Sequence, residues 1–216
     1  MGPSVSFFFP VIEASVLFCH VSGERRKRTH VLEEHNQFGL SAKPNNVEIQ
    51  VSEAKEGLEI LKPFTDMGFR IMAIAPDYDY LFHNTPAEAW FLGLMKGNVR
   101  PRGVSIGQNL SNVLRFALLY KFGGIYLDID VIVLKRLSKM KNVIGAQTID
   151  LQTRNWSRLK NAVLVFDKNY PLLFMFIQEF ALTFDSNKWG HNGPYLVSRG
   201  FQGSVEHQTM VLTLLW

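Results

Sequence analysis

Two aspartates, Asp128 and Asp130, stand one residue apart within the otherwise apolar stretch KFGGIYLDIDVIVL, residues 121–134. In an extended chain alternate side chains point to the same side, so both carboxylates face one way while Ile129 faces the other. Two like charges this close repel each other unless a cation neutralises them. Carboxylate oxygens suit hard ions such as Mg²⁺ or Mn²⁺, which complete their shell with water and phosphate oxygens. The pair therefore predicts a divalent-metal site for a phosphate-bearing ligand.

The same pattern also occurs in exposed turns between strands, where it carries no chemistry. Here an apolar strand precedes the pair, an apolar run follows it, and a helix ended by Gly123 and Gly124 lies just upstream. Ligands of open α/β sheets bind where strands end. This context favours a site over a bare turn.

Two enzyme classes place an Asp-x-Asp pair at the end of a strand. Nucleotide-sugar transferases use both carboxylates to hold a metal that bridges the donor diphosphate. Phosphatases of the haloacid-dehalogenase type use the first Asp as a nucleophile and the second as an acid/base, and continue with Thr or Val where this chain has Ile132. They also need a downstream lysine and a final acidic pair, whereas the carboxylates after residue 140 are scattered. The sequence favours the transferase and leaves the phosphatase as the alternative.

The elements that position the pair follow from the hydrophobic spacing. Leu110, Leu114 and Leu118 recur at helical intervals, which predicts a helix over residues 109–121 that ends at Gly123. Short strands are predicted directly before and after the aspartates. Further strand candidates are residues 68–75, 143–146 and 162–166, and further helices begin at Pro86 and Pro171. This alternation predicts a mixed α/β domain.

Composition narrows the class of protein. The chain has 216 residues, of which 47% are hydrophobic and 19% charged, so it is long enough for one substantial domain and too apolar to be disordered. The formal net charge of +4 is not concentrated enough to suggest nucleic-acid binding, since residues 25–28 are the only dense basic run in the sequence. The single cysteine, Cys19, excludes an internal disulfide and a zinc site built from cysteines.

The apolar N-terminal segment, residues 4–21, raises the question of a membrane span. Pro10, Glu13 and His20 interrupt it, and no basic residue precedes it. A spanning helix needs about 20 consecutive apolar residues. We therefore expect irregular packing here rather than a membrane anchor.

Several blocks of the chain carry a resemblance to a known family. The stretch from Asn109 to Asp130 resembles the DXD block of the glycosyltransferase sugar-binding and alpha-1,4-glycosyltransferase family, which includes lactosylceramide galactosyltransferases and fungal initiating mannosyltransferases. Further blocks resemble the plant branch of that family and occur in the same order; they are residues 60–77, 84–90, 142–148, 154–173 and 189–199.

The resemblance implies a GT-A-type fold, in which a Rossmann-like nucleotide-sugar-binding domain has a mixed sheet flanked by helices. It also implies dependence on Mn²⁺ or Mg²⁺, a nucleotide-sugar donor that is UDP-linked by default, and a glycan or glycolipid acceptor. Family members are usually Golgi type II membrane proteins, which implies a Golgi location and membrane association. The family's alpha products imply retention of configuration, but no nucleophile or base stands out, so the catalytic residues are left unassigned.

The same resemblance assigns roles to residues around the aspartates. Asp128 and Asp130 are expected to bind the metal and the donor diphosphate. In related enzymes the preceding helix carries an acid or amide and an arginine that contact the donor sugar, at the spacing of Asn112 and Arg115 here. Because these two residues are three apart, they share a helix face.

A late loop, residues 189–192, is expected to close over the donor in this fold. The resemblance implies that His191 is a further metal or phosphate ligand and that Trp189 and Asn192 contact the donor. Asn161, at the head of a predicted strand, is expected to face the donor sugar or the acceptor. Trp156 and Trp189 are also candidates for stacking on sugar rings.

The ends of the chain depart from the family pattern. Residues 1–57 do not clearly show the opening nucleotide-binding strand, although residues 4–11 resemble a remnant of it. The match covers residues 58–200, and the tail, residues 201–216, carries no family signal. We therefore expect a shortened relative, and its alternative function is that of a non-catalytic binding partner.

Overall fold

The structure is a computed structural model. It describes residues 5–11, 15–21, 66, 70–74, 76–100, 102–128, 131, 137, 139–150, 152–153, 156–202 and 210–213. Asp130 lies outside these ranges, as does most of the apolar run that follows it.

A seven-stranded mixed sheet forms the centre of the fold, in the order β3-β2-β1-β4-β6-β5-β7. Its strands are β1 (Val5–Val11), β2 (Ser15–Val21), β3 (Arg70–Ile74), β4 (Gly124–Leu127), β5 (Val143–Ile149), β6 (Trp156–Phe166) and β7 (Met210–Thr213). The β1–β4 and β5–β7 pairs are parallel, and the remaining neighbours are antiparallel. The predicted mixed α/β architecture is confirmed.

Helices cover one face of the sheet. They are α1 (Tyr78–Phe82), α2 (Ala87–Met95), α3 (Ile106–Phe122), α4 (Pro171–Thr183) and α5 (Pro194–Gln202). Each contributes to the main hydrophobic core, where the rings of Phe116 on α3 and Phe176 on α4 lie 5.3 Å apart. A smaller core on the other face joins Ile125, Leu127 and neighbouring valines to Val131, Leu137 and Met140.

The strand before the aspartates shows how alternation divides the two cores. Ile125 and Leu127 belong to the smaller core, whereas Tyr126 between them belongs to the helix-covered core. Asp128 continues the pairing by one hydrogen bond, from its backbone N–H to the Ala162 carbonyl at 2.9 Å. The chain therefore delivers Asp128 to the end of the strand, on the same side as Tyr126.

Helix α3 begins and ends as its sequence predicts. The Ser105 hydroxyl accepts a hydrogen bond from the Gln108 backbone N–H at 3.2 Å, which is an N-cap. Gly123 ends the helix with φ of 68°, and its N–H donates to the Leu119 carbonyl. The helix extends three residues further towards its N-terminus than the predicted start at residue 109.

The structure corrects two expectations. Residues 5–11 and 15–21 form an antiparallel strand pair instead of packing irregularly, and β1 lies directly beside β4. This placement agrees with the reading of residues 4–11 as a remnant strand. Helix α5, which follows the predicted loop at residues 189–192, is an element that was not predicted. Among the described residues, no helix is both long and apolar enough to span a bilayer.

We predict that Gly123→Ala destabilises the fold. Its φ of 68° disfavours a side chain, and a Cβ there would lie 2.6 Å from the Lys168 backbone nitrogen. The free energy of unfolding should fall by about 1–3 kcal/mol, measured by chemical denaturation.

Gly107→Ala is the matched control, because a Cβ on Gly107 meets nothing within 4 Å and the residue lies in the first turn of α3. It should leave stability unchanged or raise it by up to about 1 kcal/mol. Equal losses in the two variants would contradict the steric argument.

Candidate functional site

The Arg115 guanidinium is the centre of a buried polar cluster beside the first aspartate of the DXD pair. Its Nη1 donates to Asp128 Oδ2 at 3.2 Å and to the Asn161 carbonyl at 2.7 Å. Its Nε and Nη2 donate to the carbonyl and hydroxyl oxygens of Ser111, one turn earlier on α3. Arg115 is only 5% exposed, so a full positive charge is held inside the fold by one carboxylate and neutral oxygens.

Both oxygens of Asp128 are held in place. Arg115 binds Oδ2, and the Tyr126 hydroxyl donates to Oδ1 at 2.7 Å. The guanidinium also lies over the Tyr126 ring, 4.6 Å from its centroid. Burial raises the pKa of the Tyr126 phenol well above its ordinary value of 10, and the Arg115 charge only partly opposes this. Tyr126 therefore stays protonated at neutral pH and remains a hydrogen-bond donor to the carboxylate.

A break in the register of β6 brings Asn161 to this cluster. Ile144 of β5 pairs with Leu164, but the next residue, Gly145, pairs with Lys160, so residues 161–163 have no partner on β5. Leu159 faces the helix-covered core and Val163 the opposite core, although a regular strand would place both on one face. The bulge frees the Asn161 carbonyl for Arg115 and turns the Asn161 side chain towards α3.

Two amides and a glycine form the neighbouring part of the site. Asn161 Nδ2 donates to Asn112 Oδ1 at 2.9 Å. A Cβ on Gly193 would lie 2.9 Å from Asn112 Oδ1 and 3.1 Å from Asn161 Nδ2, so only glycine lets the chain approach this pair so closely. Asn112 is half-buried and its Nδ2 has no hydrogen-bond partner among the described residues, which leaves it available to a ligand hydroxyl.

Asn192 lies in a second hydrogen-bond network, with Asn109 and Asp185. It is buried, its Nδ2 donates to Asn109 Oδ1 at 2.8 Å and to the Asp185 carbonyl, and its Oδ1 accepts from the Asp185 N–H. These bonds tie the segment between α4 and α5 to the start of α3. The contact of Asn192 with the donor stays a prediction.

His191 lies on the same segment and faces α4. Its Nε2 is 2.9 Å from the Thr183 carbonyl. A carbonyl oxygen only accepts, so Nε2 carries the proton and Nδ1 alone offers a lone pair to a metal ion. No ion pair joins His191 to Asp128 in the part of the chain that the structure describes. The metal-binding role of His191 stays a prediction.

The two tryptophans that could stack on sugars differ in exposure. Trp156 packs edge-on against Phe201 with ring centroids 5.3 Å apart, beside the main core. Trp189 is 74% exposed. Of the two, the structure leaves the face of Trp189 open to a ligand.

The donor set of the cluster fits a hard divalent cation. Asp128 is a carboxylate that is 25% exposed at its side chain, and each of its oxygens keeps a lone pair beyond its one hydrogen bond. Within the described ranges no group of three or more His, Cys, Asp or Glu side chains could hold a metal ion. The remaining ligands stay a prediction, namely Asp130, which lies outside those ranges, His191 and the bound substrate.

Sequence reasoning missed several residues of the cluster, namely Tyr126, Ser111, Asn109 and Gly193. Tyr126 had a readable signal, because it lies two residues before Asp128 and so on the same side of the strand. Ser111 and Asn109 lie on α3 within one turn of Arg115 and Asn112, respectively. Gly193 had no signal, because its contacts come from segments far away in the sequence.

Comparisons with known proteins identify the family of the chain. Residues 30–150 match the family described as glycosyltransferase sugar-binding region containing DXD motif. Residues 165–211 match the alpha 1,4-glycosyltransferase conserved region. The first match covers more than half of the chain, and the chain belongs to this family of DXD-containing glycosyltransferases.

Individual relatives agree with the family. Lactosylceramide 4-alpha-galactosyltransferase of Rattus norvegicus is 35% identical over 146 residues, which are 68% of this chain and 36% of that protein. Human alpha-1,4-N-acetylglucosaminyltransferase is 27% identical over 57% of this chain and 33% of its own. An uncharacterized protein of Arabidopsis thaliana is 35% identical over 63% of this chain and 20% of its own.

The chain thus spans about a third of the length of these two named enzymes. Among solved structures, the PaToxG glycosyltransferase aligns over 60% of this chain and 44% of that chain with a TM-score of 0.43 and 20% identity. That likeness is too remote to support any argument.

We predict that Tyr126 makes stability fall with rising pH. Because its folded pKa is raised, the stabilisation is complete below the unfolded pKa near 10 and is lost as pH rises above it. Between about pH 9 and pH 11, wild-type protein should lose up to about 1.4 kcal/mol per pH unit more than Tyr126→Phe does.

Guanidinium denaturation at several pH values measures this slope. Tyr195→Phe is the matched control for the loss of a tyrosine hydroxyl, because Tyr195 is exposed whereas Tyr126 is buried. If the free energy of unfolding falls with pH as steeply in Tyr126→Phe as in the wild-type protein, the Tyr126 phenol does not retain its proton in the folded state.

Proposed function

We propose that this chain carries the donor site of a metal-dependent glycosyltransferase, which transfers a sugar from a nucleotide-sugar donor to a glycan or glycolipid acceptor. The observation that supports this most directly is the fixed carboxylate of Asp128. Arg115 and Tyr126 each hold one of its oxygens, in a chain of the DXD family. Such locking lowers the reorganisation needed when a ligand binds.

The charged and the neutral residues of the site suit different parts of a nucleotide-sugar donor, the diphosphate and the sugar. Asp128 at the end of β4, together with Asp130, would hold Mn²⁺ or Mg²⁺. Bound there, the ion would supply positive charge opposite the diphosphate leaving group. His191 is proposed as a further ligand through Nδ1, which requires its loop to bring that nitrogen to the carboxylates.

The sugar part of the donor is assigned to the amide pair. Asn112 and Asn161 are neutral groups that both donate and accept hydrogen bonds, which suits hydroxyls rather than phosphate. Arg115 uses Nε, Nη1 and Nη2 within the protein, so its contribution to donor binding is chiefly to position Asp128. Trp189 and Asn192 remain proposed donor contacts through movement of their loop.

The transfer is proposed to form an alpha linkage, as the names of the relatives indicate for those proteins. The donor is proposed to be UDP-linked, which comes from the family resemblance. A Golgi location and membrane association belong to the same proposal, since they come from the family resemblance. They can be tested by imaging a tagged full-length protein.

We predict that Asp128→Asn weakens Mn²⁺-dependent UDP binding by at least about tenfold, because the amide keeps the size of the side chain and loses its charge. Calorimetric titration of UDP and of GDP, each with and without Mn²⁺, measures the effect and identifies the base. Asp130→Ala is the second variant and should behave alike. Circular dichroism reports whether each variant is folded.

Asp79→Asn is the control, since Asp79 is an exposed acid on α1. Its UDP affinity should equal that of the wild-type protein. Unchanged affinity in both DXD variants would refute the metal site. Binding of the UDP-sugar without transfer or hydrolysis would instead identify a non-catalytic relative.

A further inference from the structure

Two aromatic side chains stay exposed on the segment that reaches the amide pair. Trp189 is 74% exposed and Tyr195 is 42% exposed. Gly193, which lies between them in sequence, packs against Asn112 and Asn161. Exposed aromatic rings beside a polar site are typical of ligand contacts, because burying them against a ligand removes apolar surface from water.

The Tyr195 ring is held in one position. A Cβ on Gly190, whose φ is 71°, would lie 2.9 Å from Tyr195 Cε2, so the ring packs directly on the glycine backbone. The Tyr195 N–H donates to the Gly190 carbonyl at 3.2 Å. The Arg158 guanidinium lies 4.8 Å from the ring centroid. A ligand would therefore meet a prearranged ring.

Arg158 adds hydrogen-bond donors to this surface. It forms no ion pair with any residue in the described part of the chain, and its described contact is the Tyr195 ring. A guanidinium has five N–H donors in a plane, and stacking on a ring leaves its edge available. Trp189 and Tyr195 thus offer aromatic faces, and Arg158 offers N–H donors that can bind hydroxyl groups.

The position of this surface connects it to the proposed donor site. Trp189 is joined through Gly190 to the backbone on which Tyr195 rests. Tyr195 follows by two residues Gly193, which packs on the amide pair, so this surface adjoins the proposed donor site.

We propose that Trp189, Tyr195 and Arg158 form an acceptor subsite that stacks a neutral pyranose ring of the acceptor. The apolar C–H face of such a ring fits the aromatic side chains, and its hydroxyls accept hydrogen bonds from Arg158. This inference rests on the proposed function and deepens it. It gives Trp189, which is proposed above as a donor contact, a second role at the acceptor.

Lactose is the probe, since it presents two neutral pyranose rings and is the sugar in the name of the lactosylceramide-specific relatives. Saturation-transfer NMR on the full chain measures its binding. Trp189→Ala and Tyr195→Ala should each weaken lactose binding by about fivefold to tenfold. Tyr195→Phe keeps the ring and should bind lactose as the wild-type protein does.

Leu182→Ala is the matched control, because Leu182 is an apolar side chain on α4 that is 76% exposed. Leu182→Ala should bind lactose as the wild-type protein does. In Tyr195→Ala, Tyr195→Phe and Leu182→Ala the affinity for UDP with Mn²⁺ should remain at the wild-type value, since neither Tyr195 nor Leu182 belongs to the proposed donor site.

Three outcomes would overturn the subsite: equal lactose binding in Trp189→Ala and wild type, no lactose binding to a protein that binds UDP with Mn²⁺, or weaker UDP binding together with weaker lactose binding in Tyr195→Ala. Failure of the proposed function looks different. There, wild-type protein would not bind UDP with Mn²⁺, while lactose binding would still depend on Trp189 and Tyr195.

Discussion

The ion pair between Arg115 and Asp128 is the constraint on which the site depends. The Arg115 charge is almost fully buried and must be compensated at close range. Without a partner, the desolvation of such an ion costs on the order of several kcal/mol. The carboxylate supplies opposite charge and the Asn161 and Ser111 oxygens take up further donors. The positions of β4, β6 and α3 relative to one another follow from this requirement.

Helix α3 is the element that collects the other segments. Asn109, Asn112 and Arg115 follow at intervals of three residues and therefore share a face. Asn109 binds the segment between α4 and α5, Asn112 binds the bulge of β6, and Arg115 binds the end of β4. One polar helix face thus brings together three regions that are far apart in the chain.

The bulge in β6 makes this arrangement possible. Without it, the carbonyl and side chain of Asn161 would follow the regular alternation of the strand. With it, Leu159 remains in the main core while Asn161 reaches α3 and Arg115. The polar cluster and the hydrophobic core can then occupy the same face of the sheet without leaving the buried Asn161 amide nitrogen unpaired.

The local sequence pattern by itself determined several secondary-structure elements of this protein. Helical spacing from Leu110 to Leu118, the glycine at 123 and the short apolar strand set α3, β4 and the place of Asp128, because these depend on neighbours within one or two turns. The DXD pair and its flanking blocks also identified the family. Only the tertiary structure decided that Arg115 holds Asp128, that Asn161 sits on a bulge and that Gly193 closes on the amide pair. Each of these contacts joins residues between 13 and 81 positions apart in the sequence. Helical and strand periodicity relate only near neighbours, so these contacts follow from the burial of polar groups in the folded chain.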